Sequence, residues 1–85
     1  MEFELSKHAK EELIKRKIPL QVLQSVLDCP GQIVEEERLT IYQGLFTASN
    51  NKTYLLRIFL NTTIRPAKVI TVYKTSKISK YWRKL

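Results

Sequence analysis

One imidazole, one guanidinium set within a strand, two phenols and a run of lysines are the side chains of this sequence best suited to chemistry. His8 is its only histidine and the only side chain with an unperturbed pKa near neutrality. At the second or third position of a helix the helix dipole favours the neutral imidazole, which suits a general base. The alternative is a surface or capping residue. Arg57 sits in the apolar run Tyr54-Leu55-Leu56-Arg57-Ile58, a costly place for a cation unless its head reaches solvent or an anion. It can hold a phosphate through paired hydrogen bonds, or pair structurally with Glu35, Glu36 or Glu37 on a neighbouring strand. Lys74, Lys77, Lys80 and Arg83 gather near the C-terminal end. They can hold flanking phosphates or remain solvated. Tyr81 shares a stripe with Lys77, Lys80 and Lys84 and can stack on a base or donate a proton, whereas Tyr73 can stack or simply close the core. Trp82 is assigned to packing. Metal-independent RNA cleavage needs a base for the 2′-hydroxyl, an acid for the leaving 5′-oxygen, and cations around the phosphorus. These residues can supply each.

Other chemistries find little support. Glu35, Glu36 and Glu37 are consecutive on a predicted strand, so their side chains alternate between faces and cannot all converge on a metal. The only glycines are Gly31 and Gly44, too few and too far apart for a phosphate-cradling loop. Cys29, the single cysteine, excludes an internal disulfide, and with one histidine it excludes a Cys/His zinc site built from this chain alone. It stands just before Pro30 and far from His8 in sequence, which predicts a buried or inert thiol. No metal and no cofactor are expected.

The charge supplies the partner class. Of the 85 residues, the first 50 hold all eight acids and a net charge of −2, whereas residues 51–85 hold nine Lys/Arg, no acid and +9. A segregated positive half points to a polyanion, because clustered Lys/Arg neutralising phosphates supplies most sequence-independent affinity for nucleic acid. Hydrophobic residues at 44% and charged residues at 27% describe one small folding domain. Apolar runs such as Ile58-Phe59-Leu60 fall far short of the ~18 residues that span a bilayer, and the acidic start lacks a signal peptide's pattern. A cytoplasmic protein without a membrane partner is predicted.

The elements that must position these side chains follow from hydrophobic periodicity. Phe3 and Leu5 alternate with acids as a short lead-in strand or staple. Ser6 is a good N-cap for a helix to about Lys17, with Ala9, Leu13 and Ile14 inward and the pairs Glu11/Lys15 and Glu12/Arg16 on the solvated side. Pro19 breaks it and opens a second helix whose buried stripe is Val22, Leu23, Val26 and Leu27. From Gln32 the period becomes two. Strands are expected over 33–38, 39–47, 54–61 and 68–75, with Arg57, Thr71 and Tyr73 on the face away from the helices and Val69 beside them. A final helix from Ser76 to Leu85 docks Ile78, Trp82 and Leu85. The fold class is α+β: two N-terminal helices on one face of a three- or four-stranded antiparallel sheet, then a short C-terminal helix.

This order and four strings resemble the RelE/ParE-like toxin superfamily of toxin–antitoxin systems, nearest to its BrnT-like side and to a related family known only as a domain of unknown function. The strings are Ser6-Lys7-His8-Ala9, Lys15-Arg16-Lys17-Ile18, Tyr54-Leu55-Leu56-Arg57-Ile58 and Val69-Ile70-Thr71-Val72-Tyr73-Lys74-Thr75-Ser76-Lys77. The resemblance implies a RelE-like fold and an mRNA-cleaving toxin of a type II system, often acting on the ribosome and neutralised by an acidic or DNA-binding antitoxin. ParE-type members inhibit gyrase instead, so a non-catalytic nucleic-acid- or partner-binding protein of the same fold is the alternative. The resemblance also makes Arg16 a candidate for the cleft. His8, Arg57, Lys74 and Tyr81 are thus the expected catalytic residues, and Arg16, Tyr73, Lys77, Lys80, Arg83 and Lys84 the expected RNA contacts.

Overall fold

The computed structural model describes residues 1–84. The chain runs β1 (Phe3–Leu5), α1 (Lys7–Lys15), α2 (Leu20–Asp28), β2 (Gln32–Glu36), β3 (Leu39–Thr47), β4 (Thr53–Asn61), β5 (Ala67–Thr75) and α3 (Ile78–Tyr81). It forms one five-stranded sheet in the order β1-β5-β4-β3-β2. Strands β2 to β5 are antiparallel neighbours, whereas β1 pairs with β5 in parallel, Leu5 opposite Val69. The class is α+β, but the sheet is mixed and larger than the sequence predicts. The difference is the three-residue Phe3–Leu5 segment, which pairs with β5 as a fifth strand.

Local chemistry sets α1. The Ser6 hydroxyl accepts from the Ala9 amide at 3.0 Å and donates to the Ile70 carbonyl at 2.8 Å, so one side chain caps the helix and fastens it to β5. At the other end Lys17 adopts φ 53° while the amides of Lys17 and Ile18 reach back to the carbonyls of Ile14 and Leu13. This is a Schellman stop formed without glycine. Ala9 and Leu13 are buried as expected, but Ile14 is 80% exposed. In α2, Leu23, Val26 and Leu27 are buried with Val22 packed beside them, and the helix lies close on β3. A Cβ on Gly44 would meet Val26 Cγ2 at 3.2 Å.

Both helices contribute to the cluster that holds Leu56, Ile58 and Leu60 of β4, so they cover one face of the sheet. A register shift at Phe59/Leu60 changes the expected alternation in β5: Val69 joins Val72 in the helix-side core instead of pointing away with Thr71 and Tyr73. The opposite face carries Arg57 and Tyr73 and is covered in part by α3 and the residues after it. That helix is a single turn, because Trp82 is already extended at φ −73° and ψ 122°. The expected continuation to Leu85 therefore fails at Trp82, and the docking of Leu85 lies outside the described residues. Cys29 ends α2 as an exposed thiol, not a buried one. Among the described residues no helix is long and apolar enough to cross a membrane.

Candidate nucleic-acid interface

A polar row crosses the face of the sheet away from α1 and α2. Gln32, Gln43, Arg57 and Tyr73 stand opposite one another on β2, β3, β4 and β5. Gln43 is fully buried. Its Oε1 accepts from Arg57 Nε at 3.0 Å, while its Nε2 donates to Gln32 Oε1 at 2.8 Å and to the Tyr81 carbonyl at 3.2 Å. Gln32 in turn accepts from the Arg83 amide at 3.0 Å and donates to the Arg83 carbonyl at 2.5 Å. These bonds hold the segment carrying Tyr81 onto the sheet, and the Trp82 ring lies against Gly31, where a Cβ would come within 2.7 Å of it.

Arg57 is the fixed cation of this face. Its residue is only 7% exposed, and Nη2 donates to Glu36 Oε2 at 3.0 Å, the structural pairing that its strand position allowed. The guanidinium carbon lies 4.5 Å from the Tyr81 ring centroid and 5.3 Å from that of Phe59. Among the described residues Nη1 makes no hydrogen bond.

Beside Arg57 opens a shallow cleft of about 440 Å³ lined by Glu12, Arg16, Phe59, Thr71, Tyr73 and Tyr81. Three elements meet there: α1 at the margin of β5, the β4–β5 surface, and α3. The Arg16 guanidinium carbon sits 5.1 Å from the Tyr73 ring centroid, and Tyr73 and Tyr81 pack edge to face with centroids 5.7 Å apart. Glu12 Oε2 is 3.5 Å from Arg16 Nε, beyond good hydrogen-bond geometry, and both atoms are buried without a hydrogen-bond partner. His8 is more remote. Its Nε2 is 3.8 Å from Glu12 Oε1 and its side chain is 62% exposed, at the outer margin of the cleft. The Tyr73 phenol is held below the usual tyrosine value, first by hydrogen bonding from the Tyr81 side chain, then by Thr75 and by the charges of Lys80 and Arg16, against the opposing effect of burial.

The expected site residues thus divide. Arg16, Arg57, Tyr73 and Tyr81 converge, with His8 at the edge. Lys74 does not join them: it stands opposite Leu56 on the helix side, and its ammonium donates to the Arg16 carbonyl at 2.7 Å, satisfying the C-terminus of α1. Lys80 lies over the Tyr81 ring at 5.5 Å, and Lys77 is exposed at the start of α3, its amide bound to the Thr75 hydroxyl. Arg83 sits on the β2 side, 3.9 Å from Glu36, and Lys84 lines a separate depression with Gly31 and Trp82.

Glu12 and Gln43 join the site without being among the residues expected there from the sequence. The i,i+4 spacing predicts a solvated Glu12/Arg16 pair, although His8, Glu12 and Arg16 repeat every four residues and so share one stripe of α1. Gln43 carried a subtler signal, a lone amide between Ile41 and Leu45 on one face of a strand. Among the described residues no group of three or more His, Cys, Asp or Glu is placed to hold a metal. Scans against protein-family models, curated proteins and solved structures give no match to this chain.

Proposed function

We propose that this protein is a RelE-like endoribonuclease toxin of a type II toxin–antitoxin system, cleaving mRNA without a metal in the cleft between α1, β5 and α3. The observation that carries the reading is the convergence of Arg16, Arg57, Tyr73 and Tyr81 with the partly buried carboxylate of Glu12 around one open depression. In this reading Arg16 contacts the scissile phosphate directly, while Arg57, already bonded to Gln43 and Glu36, supplies a fixed positive floor. Glu12, with His8 beside it, takes the proton from the 2′-hydroxyl. The freed oxygen attacks the adjacent phosphorus, the bond to the 5′-oxygen breaks, and the Tyr73 phenol donates its proton to that leaving oxygen. Tyr81 and Lys80 stack on and neutralise the flanking nucleotide.

A specific observation also favours a binding role without cleavage. Arg57 is largely committed inside the protein, to a carboxylate, an amide and two aromatic rings, which leaves a stacking and cationic surface with less free catalytic charge. One experiment separates the two readings. Purified protein with a chelator is incubated with RNA alone and with translating ribosomes, and growth is followed on induction. Cleavage in either assay, lost in Glu12→Gln, supports the nuclease; intact RNA in both, without growth arrest but with salt-sensitive RNA retention, supports the binding protein.

A further inference from the structure

Ile14 is the anomaly of the fold: an apolar residue 80% exposed in a helix that buries Ala9 and Leu13. It is not isolated. Ile14 and Leu20, itself 57% exposed, wall a groove of about 690 Å³ floored by Leu13 and Ile18 and edged by Lys10 and Lys17. Lys10 and Ile14 stand one helical turn apart on α1 and Lys17 follows in the left-handed turn that ends it, whereas His8, Glu12 and Arg16 form the stripe that faces the cleft. The two stripes lie about half a turn apart around α1, with the buried Ala9 and Leu13 between them.

We propose that this groove is a docking site for an acidic amphipathic helical segment of a partner protein, seated on the side of α1 away from the nucleic-acid cleft. The apolar floor fits one row of leucine-like side chains, and the two lysines, which make no ion pair among the described residues, would meet carboxylates flanking that row. Charge decides against a second copy of this chain: an isologous contact would set each Lys10 and Lys17 against lysines of its copy. Extent decides against a membrane: among the described residues the exposed large apolar side chains at the groove are Ile14 and Leu20 alone, far short of the continuous apolar face that an interfacial helix buries. Because α1 is gripped from the opposite side, the partner can bind while the cleft stays open.

The test is selection, on the full-length protein, from a displayed library of helical peptides of about 14 residues. Leucines are fixed at i, i+3, i+4 and i+7, and Glu or Lys is allowed at every flanking position. The expected winners carry Glu beside the leucine row. Their affinity should fall about tenfold or more in Ile14→Asp, fall less and lose its salt dependence in Lys10→Gln with Lys17→Asn, and persist in Tyr81→Phe. Ile14 is exposed, so its variant leaves the core intact, and unchanged melting confirms this. Winners without acidic enrichment, or binding indifferent to Ile14→Asp, overturn the proposal. So does self-association or binding to anionic liposomes that Ile14→Asp abolishes while peptides fail to bind. Failure of RNA cleavage would not, because the groove and the cleft are tested by separate ligands.

Discussion

Gln43 Oε1 accepts from Arg57 Nε at 3.0 Å, in a pair of residues that stand directly opposite each other on β3 and β4. The consequence reaches beyond the pair, because the same fully buried amide holds the Tyr81 carbonyl and Gln32. One glutamine therefore fixes both the cation beneath the cleft and the segment that forms its wall.

Replacing Gln43 with leucine keeps the volume but strands a buried guanidinium N–H, the Tyr81 carbonyl and one end of Gln32. Each lost partner is worth about 1 kcal/mol, more where the donor is charged, so a loss of about 2–3 kcal/mol in denaturant unfolding is expected. Iodide should also quench Trp82 fluorescence more strongly, since the segment after α3 loses part of its anchorage. Gln43→Glu keeps the acceptor for Arg57 but sets a fully buried carboxylate oxygen against the Gln32 and Tyr81 acceptor oxygens, and should destabilise at least as much as the leucine variant.

Much of this arrangement is legible in the sequence. Strand alternation separates Arg57 from Leu56 and Ile58, and the cap at Ser6 fixes where α1 begins, hence which side His8 and Arg16 occupy. What escapes is long-range. Whether three residues at Phe3–Leu5 become a strand depends on the edge that β5 offers, and the placement of Val69 depends on a register shift that no local pattern marks, whereas strand alternation already sets Lys74 on the helix side with Val72. The end of α3 is decided by backbone bonds to Gln32 and Gln43, residues some 40–50 positions earlier.

Glu36 tempers the positive face. Its carboxylate is nearly half exposed, yet its partner Arg57 is buried, so Glu36→Ala should cost about 1–2 kcal/mol, above the usual value for a fully exposed pair. The same change removes a negative charge shared with Arg83. RNA should bind roughly two- to fivefold more tightly at low salt, with the gain vanishing at high salt. A salt titration of RNA binding in parallel with chemical unfolding reads both effects.

Tyr73 ionises more readily in the folded protein than an ordinary tyrosine. Between its lowered folded value and the unfolded value near ~10, the folded state binds fewer protons, so stability rises with pH. The contribution is complete above the unfolded value and is lost as pH falls through the folded one. In a phenolate absorbance titration Tyr73→Phe should remove the earliest transition. Tyr81→Phe should move that transition upward, because the first cause of the shift is the Tyr81 side chain.

The proposed cleavage of RNA through its own 2′-hydroxyl is read directly by the chemistry of the product ends. Single-stranded RNA cleaved in the presence of a chelator should yield fragments ending in a 2′,3′-cyclic phosphate and fragments beginning with a 5′-hydroxyl, with neither formed by Glu12→Gln or Arg16→Ala. Fragments bearing 3′-hydroxyl and 5′-phosphate ends, cleavage undiminished in both variants, or RNA left intact both free and on translating ribosomes would contradict it.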